Sequence, residues 1–409
     1  MRDVAGLSFF FLFCIMMNMK KAYKYRIYPT RSQETRILNQ FSMCRYLYNW
    51  ALKERIEVYQ STKKSINYYH QANWLPQLKK ERPWFKSIHS QVLQNVLKRL
   101  DKAFKDFFRR VKKGEIPGFP KYKKRGQWNS ITYPQFYDRP VVEGRYGYIK
   151  VPKIGQIKIR YHREIPTNAK IKTLTISYEA GKWFACFSFE QELEVEPKQE
   201  LPPIGIDMGL RDFVYASNGL HVPCPKHLRR KEQNLRKLQR RFSRERKYTP
   251  RWYKLLKAIQ KTHYRIRCAR LDFLHKTVNL LLSHTDLVVC EKLKIKNMVR
   301  RPKPIQDENG KYLPNGASWK AGLNKSILDA GWSKFFDILI YKASEQGKKV
   351  LFVNPRQTSQ ICSNCGCVVS KSLSIRTHVC PECGFVANRD HNAALNILRL
   401  GLQSLRAPC

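Results

Sequence analysis

Three carboxylates and four cysteines stand in settings where their chemistry could be used. Asp207 ends the apolar run IGID, Glu291 ends DLVVCE, and Asp390 opens the small-residue segment NRDHNAALNI. A lone acid after a strand is more often a turn or helix-cap residue. These three lie 84 and 99 residues apart, so only the fold could gather them. In-line hydrolysis of a phosphodiester gives a reason to do so, because it needs an activated water and a stabilised leaving oxygen. Two Mg²⁺ ions about 3.5–4 Å apart supply both, and such hard cations take oxygen ligands. A strand-end carboxylate could bridge the pair while acids from a second strand and a helix start hold the outer sides.

The cysteines give a sharper local signal. Cys362-Ser363-Asn364-Cys365 and Cys380-Pro381-Glu382-Cys383 are separated by 14 residues, and each pair runs directly into a glycine, Gly366 or Gly384. Two such knuckles can offer four thiolates tetrahedrally to one Zn²⁺, the closed arrangement of a structural zinc ribbon. A redox CxxC would predict one pair, not two. Cys367 falls outside the paired spacing, His378 is a weaker substitute ligand, and the remaining thiols read as buried or incidental. The ribbon precedes Asp390 directly, so loss of zinc is expected to displace that acid and couple folding to catalysis.

Length and charge bound what these groups serve. The chain has 409 residues, and 78 Lys+Arg against 31 Asp+Glu leave a net charge of +47. With 43% hydrophobic and 12% aromatic residues, it is too apolar for a disordered basic tail. The charge must decorate two or three folded domains. Self-repulsion of this size argues against a small-molecule enzyme and for a polyanion, with nucleic acid ahead of membrane surface. Twelve cysteines in a chain this long, four of them in metal-type pairs, suit a reducing compartment, hence a cytoplasmic, nucleoid-associated protein. The segment Leu7 to Met17 is about half the ~20 residues needed to span a bilayer. Residues 1–18 read as an upstream extension with Met17 or Met19 as the working start, and a weak signal-like segment is the alternative.

The elements that would position the acids divide into four stretches. Ala22 to Tyr28 alternates as a strand closed by Pro29-Thr30, followed by helical periodicity over Gln33 to Tyr59 and Ser90 to Val111. A turn, GFPKYKKR, interleaves aromatic rings with Lys121, Lys123, Lys124 and Arg125, a pattern for backbone phosphates plus stacking or simply a solvated charged loop. From Ile131 to Glu190 several short β-branched runs suggest a small barrel or sandwich, and Glu192 to Pro202 reads as an acidic linker. Beyond the Asp207 strand, Lys226 to Arg270 carries 18 Lys+Arg against only Glu232 and Glu245. Apolar residues recur at helical spacing around a break at Tyr248-Thr249-Pro250. This is a helical hairpin with a cationic outside, and Arg229, Arg230, Arg236, Arg240, Arg241 and Arg244 are its expected phosphate contacts. An amphipathic helix over Gly331 to Gln346 and the strand Lys349 to Val353 complete the frame.

In order, GIDMGL, the basic hairpin, CEKLKIKNM, TSQICSNCG, CPECG and NRDHNAALNI resemble the TnpB (OrfB) family of insertion-sequence proteins, related to type V CRISPR effector nucleases. KAYKYRIYPT, RYLYNWAL and GFPKYKK extend the resemblance to essentially everything from Met19 onward. It implies an α/β multi-domain protein: a RuvC-like nuclease domain of RNase H fold over 196–361 and 385–409, with a zinc ribbon at 362–384 inserted. A wedge-type β-barrel over 19–32 and 115–195 and a helical recognition domain over 33–114 would precede it. The family cuts target double-stranded DNA beside a short transposon-associated motif, guided by an RNA from the transposon end. Asp207, Glu291 and Asp390 match its first, second and third catalytic acids, and Cys362, Cys365, Cys380 and Cys383 its zinc ligands. With all three acids present, the catalytically silent regulators of the family are disfavoured, and a transposase that itself joins DNA ends is the other alternative. Asn388 departs from the pattern, standing where many members have Asp; little consequence is expected, although loss of that carboxylate could weaken metal affinity. The guide sequence and the oligomeric state are left open.

Overall fold

Tyr25 and Ile27 are fully buried while Lys24, Arg26 and Tyr28 are not, the period-2 signature of a strand with one face on a core. In the computed structural model, which describes residues 15–195, 201–372 and 374–406, this strand is β1 (Ile15–Tyr28). It starts four residues before the expected Met19, and residues 1–14 lie outside the described chain. Thr30 then caps α1 (Arg31–Thr62) through a reciprocal box with Gln33. Next come α2 (Tyr68–Asn73), α3 (Leu75–Glu81) and α4 (Ser90–Lys112). The first two of these are too short to show a helical period in the sequence. Six strands follow: β2 (Ser130–Tyr133), β3 (Val141–Glu143), β4 (Tyr146–Val151), β5 (Gly155–Arg160), β6 (Lys170–Glu179) and β7 (Lys182–Val195). They join β1 in a seven-stranded sheet of order β2-β6-β7-β1-β5-β4-β3. Helices and sheet share one core, in which Ile37, Phe41 and Leu97 pack with Ile131, Ile176 and Phe187. They form the compact unit Met17–Leu193. Of the expected linker, β7 takes the first part and residues 196–200 are not described.

The second unit, from Glu194 to the C-terminus, holds the acids. Its elements are β8 (Ile204–Asp207), β9 (Asp212–Ala216), β10 (His221–Pro223), α5 (His227–Arg244), α6 (Pro250–Leu282), β11 (Leu287–Glu291) and α7 (Ile295–Met298). They continue with the hairpin β12 (Ile305–Gln306) and β13 (Tyr312–Leu313), then α8 (Ala317–Ala330), α9 (Trp332–Glu345), β14 (Lys349–Val353), β15 (Thr377–Val379), β16 (Val386–Asn388) and α10 (Arg389–Arg406). Five strands make a mixed sheet of order β10-β9-β8-β11-β14. The three strands β8, β11 and β14 run parallel, and β9 and β10 are antiparallel additions. The basic hairpin breaks at Thr249-Pro250, where the Thr249 hydroxyl accepts from the Trp252 N–H. Helix α6 runs twelve residues past the expected Arg270, and that extension is apolar, not cationic. Leu274, Val278 and Leu281 pack with α9 residues Phe335 and Leu339 against Ile206, Val288 and Cys290 on one face of the sheet.

The opposite face is covered by α10, which docks close because glycines sit at the contacts. A Cβ on Gly205 of β8 would collide with the Ala394 carbonyl and lie 2.6 Å from the Leu398 backbone nitrogen. A Cβ on Gly401 of α10 would lie 2.5 Å from Val289 of β11. No described helix is long and apolar enough to cross a membrane.

Gly205→Ala therefore forces α10 away from β8 through backbone atoms that cannot yield locally. Denaturant unfolding should show a loss of about 1–3 kcal/mol. The phosphodiester hydrolysis expected of the three acids should fall further than that loss of folded protein explains, since the displaced helix carries Asp390.

Candidate active site

Ile206 of β8 pairs with Cys290 of β11 in a parallel register, so the next residues, Asp207 and Glu291, end adjacent strands side by side. Side chains two apart on a strand share a face. Gly205 and Val289 face α10, so Asp207 and Glu291 face it too. Asp390 is the second residue of α10, where a negative charge is favoured by the helix dipole. Its backbone N–H donates to Asn388 Oδ1 at 2.8 Å. Asn388, expected as a lost metal-supporting carboxylate, thus has a role of its own: it caps the helix that presents the third acid. Arg389 and Arg376 lie 3.2 and 3.6 Å from the Asp390 carboxylate.

The electrostatics register this crowding. Burial raises Asp207, the negative charges of Glu291 and Asp390 add to it, and its carboxyl reaches about 7 despite the Met208 N–H and Arg389. Burial also raises Glu291, opposed by the Thr358 hydroxyl, which donates to Glu291 Oε1 at 2.6 Å. A carboxyl kept from water and beside other acids, as Asp207 is, holds its proton more tightly unless a cation replaces it. The donor set, two carboxylates at adjacent strand ends and a third at the start of the helix that covers them, is all oxygen, the donor type that hard divalent ions take.

Among the described residues, the only metal-competent cluster of His, Cys, Asp and Glu ligand atoms that all lie close together is Cys362, Cys365, Cys380 and Cys383, with every sulfur within 4.8 Å of the others. Cys362 and Cys383 Sγ are 3.8 Å apart, and Cys365 and Cys380 Sγ 3.5 Å. A tetrahedron with Zn–S near 2.3 Å has edges of about 3.8 Å, so the four fit one Zn²⁺. Each knuckle is closed by its glycine in the left-handed region, with the Gly366 and Gly384 N–H groups donating to Cys362 and Cys380 carbonyls at 3.0 Å. Cys367 contributes its carbonyl to the Cys362 N–H and its thiol stays outside the cluster, as does His378, which is buried beside Lys371 and Phe385. Asn364 and the Phe385 N–H draw the Cys383 thiol down to about 6, while hydrogen bonds among the neighbouring thiols push Cys365 up to about 12, so the four sulfurs share protons as one group.

Three residues that sequence reasoning missed join the two centres. The fully buried Asn392 donates to the Ile361 carbonyl at 2.8 Å and accepts from the Ser363 N–H at 2.9 Å. One turn on, Asn396 donates to the Thr358 and Ile361 carbonyls, and Thr358 is the residue that holds Glu291. The helix carrying Asp390, the loop entering the cysteine cluster and the second acid are therefore one hydrogen-bonded body. Asparagines four apart in NAALNI, on a helix face otherwise small and apolar, were the available signal.

The expected phosphate contacts fall into two sets in separate units. Lys121, Lys124 and Arg125 are exposed, while Lys123 is clamped at both backbone groups by Asn49 and lies over the Tyr48 ring. On α5, Arg230, Arg240, Arg241 and Arg244 are exposed. Arg229 instead reaches Ser326 and Gly322 of α8, and Arg236 pairs with Glu232 at 2.7 Å.

Two outcomes are expected. Thr358→Val keeps the shape but removes the donor to Glu291, and DNA cleavage should drop by about 10–100-fold with the fold intact, checked by single-turnover rates and circular dichroism. Without added divalent ion, the folded protein binds more protons than the unfolded chain between about pH 4 and pH 7 because Asp207 is raised. The stability linked to Asp207 is thus complete near pH 4 and lost as the pH rises through about 7. Thermal melts of Asp207→Asn should gain on the unchanged protein over that interval, and Mg²⁺ should close the gap.

Three family models match the chain: "Probable transposase" over residues 186–301, "Cas12f1-like, TNB domain" over 332–397, and "Helix-turn-helix domain" over 16–64, which here is β1 and the single long helix α1. InsQ of Escherichia coli (strain K12), provisionally named an RNA-guided DNA endonuclease, is 33% identical across 94% of this chain and 93% of its own length. A Streptomyces pristinaespiralis protein of the same provisional name is 32% identical across 95% and 91%. The fold is similar to the protein in the solved Cas12f1-sgRNA-target DNA complex, with a TM-score of 0.52 at 13% identity over 93% of this chain and 98% of that one. The chain belongs to the TnpB (OrfB) family, related to the type V CRISPR effector nucleases.

Proposed function

We propose that this chain is an RNA-guided DNA endonuclease of an insertion sequence, cutting phosphodiesters at Asp207, Glu291 and Asp390. The observation that carries this reading is the convergence of two strand-end acids with a third from the start of α10, Asp207 being raised by burial and then by the charges of the other two. In this reading the 194–409 unit is a RuvC-like nuclease with an inserted zinc ribbon. The sheet and helices of the other unit are its wedge and recognition parts.

Two Mg²⁺ ions, held by the three carboxylates, would supply an activated water and a stabilised leaving oxygen. The chain's own residues do the positioning. The β8 and β11 ladders fix two carboxylates in register, Asn388 fixes the start of α10 and so the third, and Thr358 orients Glu291. Arg376 and Arg389, beside Asp390, offset its charge while the site awaits cations and add positive potential where a phosphate would approach. Cys362, Cys365, Cys380 and Cys383 would hold a structural Zn²⁺, whose binding stabilises the loop that Asn392 and Asn396 grip.

Guidance by RNA accounts for the charge. A protein that leaves sequence reading to base pairing holds a heteroduplex by its backbone. About 20 bp carry roughly 40 phosphates, the same order as +47. The guide would come from the transposon end, and the cut would fall beside a transposon-associated motif.

Sequencing the RNA that copurifies with the protein, then assaying target DNA with Mg²⁺, tests the reading. One structured RNA ending in a variable guide is expected, with cleavage programmed by that guide. Asp207→Ala should keep RNA and DNA binding, with the same steep salt dependence, and lose cleavage. Strand transfer by RNA-free protein would replace this reading with a transposase, and tight occupancy without nicking at any Mg²⁺ concentration would replace it with a regulator.

A further inference from the structure

The face of the sheet that carries the acids does not end at Asp207. In the register of the antiparallel strands, Asp207 pairs with Tyr215 of β9, and Tyr215 pairs with His221 of β10. Cross-strand partners share a face, so Glu291, Asp207, Tyr215 and His221 form one row across four neighbouring strands. The Tyr215 and His221 rings stack at 5.5 Å with an interplanar angle of 16°. A third ring joins from the helix above: His391, adjacent to Asp390, lies 5.5 Å from Tyr215 at 37°. Its orientation is fixed by Nε2, which lies 3.1 Å from the Ser217 carbonyl. A buried core would explain such a ladder, but it runs outward from half-buried Tyr215 to exposed His221, and none of the three rings belongs to a hydrophobic core cluster.

We propose that this ladder is a base-stacking subsite: a nucleobase of the cleaved DNA strand, close to the scissile phosphate, stacks on His221 at the open end of the row. The inference rests on the acids being the cleavage centre. Strands lie about 4.8 Å apart, so two strand steps place His221 about 10 Å from Asp207 along the same face. That is about three stacking steps of 3.4 Å along a strand, within reach of the nucleotides flanking a phosphate held at the carboxylates. Stacking tolerates any base because every base has a π-face. A nuclease whose sequence choice lies in a guide needs such a grip on the strand, one that holds it without reading it. Tyr215 and His391 support His221 from behind, and His391 ties the ladder to the residue next to Asp390, so strand and metal site are registered to one another.

The test uses the full-length protein loaded with a guide RNA, and target DNA with single abasic sites scanned over three nucleotides on each side of the mapped cut. His221 is exposed, so His221→Ala leaves the core untouched, and its guide-RNA binding and melting temperature are expected to match the unsubstituted protein. On intact target, His221→Ala should slow single-turnover cleavage roughly 10-fold. An abasic site at one of the scanned positions should slow the unsubstituted protein by the same factor, with no further loss when both changes are combined. His221→Phe, which keeps a ring but not a titrating nitrogen, should restore the rate. Losses that multiply at every position, no loss for His221→Ala, or failure of His221→Phe to restore would overturn the proposal. Asp207→Ala run in parallel separates the two levels: if it still cuts, the cleavage centre lies elsewhere and the subsite falls with it. If it is dead while the His221 and abasic effects multiply, the centre stands and only the subsite is lost.

Discussion

Three carboxylates cannot be gathered at no cost, and much of the second unit is organised around overcoming that repulsion. Left to themselves the acids would separate or stay protonated, as the rise of Asp207 to about 7 records. What holds them is backbone. Parallel pairing of β8 and β11 fixes Asp207 and Glu291 as neighbours, and α10 is seated by a glycine on each side of its contact with the sheet. The apolar contacts of Val289, Val353 and Ile397 on one face, and the larger cluster under α6 and α9 on the other, supply the stabilisation that local electrostatics opposes. In the proposed reading a divalent cation would convert the liability into binding affinity, since the burial and crowding that raise Asp207 favour a cation in place of its proton.

The cysteine cluster belongs to this arrangement and is not an appended module. Asn392 and Asn396 bind the loop that enters the first knuckle to the helix that presents Asp390, and Thr358, at the far side of that loop, holds Glu291. A soft ion bound by these sulfurs would thus help set the positions of the carboxylates without sharing any of them. Asn392 is bonded to backbone through both its amide atoms and Asn396 through its Nδ2, and such directional bonds inside a core specify one geometry. An apolar loop packed on α10 could slide without penalty.

How much of this was legible follows from what a linear pattern can carry. Asp207 and Glu291 stood out by ending apolar runs, Asp390 by opening a small-residue segment, and the cysteines by spacing, because all these signals are local. Strand Lys349–Val353 and the hairpin break at Thr249-Pro250 were readable for the same reason. Neighbour relations were not. Nothing in IGID and DLVVCE says that they pair in parallel with Ile206 beside Cys290, and nothing in Gly205 says that a helix almost two hundred residues later needs its missing side chain. Helix α6 was cut short at Arg270 because its cationic face gives out there, although the apolar half continues to Leu282. Asn388 was weighed for the charge it lacks, when its use is a cap, a property of geometry and not of charge.

Charge balance closes the argument about partners from inside the molecule. Two acids away from Asp207, Glu291 and Asp390 tie the basic hairpin down. Glu232 takes Lys325 at 2.5 Å and Arg236 at 2.7 Å with Arg229 at 4.0 Å, and Asp329 takes Arg270 while also capping α5 at the Leu228 N–H. Such sharing fixes the base of the basic hairpin to α8 and leaves Arg230, Arg240, Arg241 and Arg244 exposed along α5. With 78 cations and 31 acids, no internal rearrangement can neutralise the remainder. The repulsion that Glu291 and Asp390 exert on Asp207 on a small scale, which metal ions would relieve in the proposed reading, is mirrored in the opposite sign over the whole surface. There the relief has to come from phosphates.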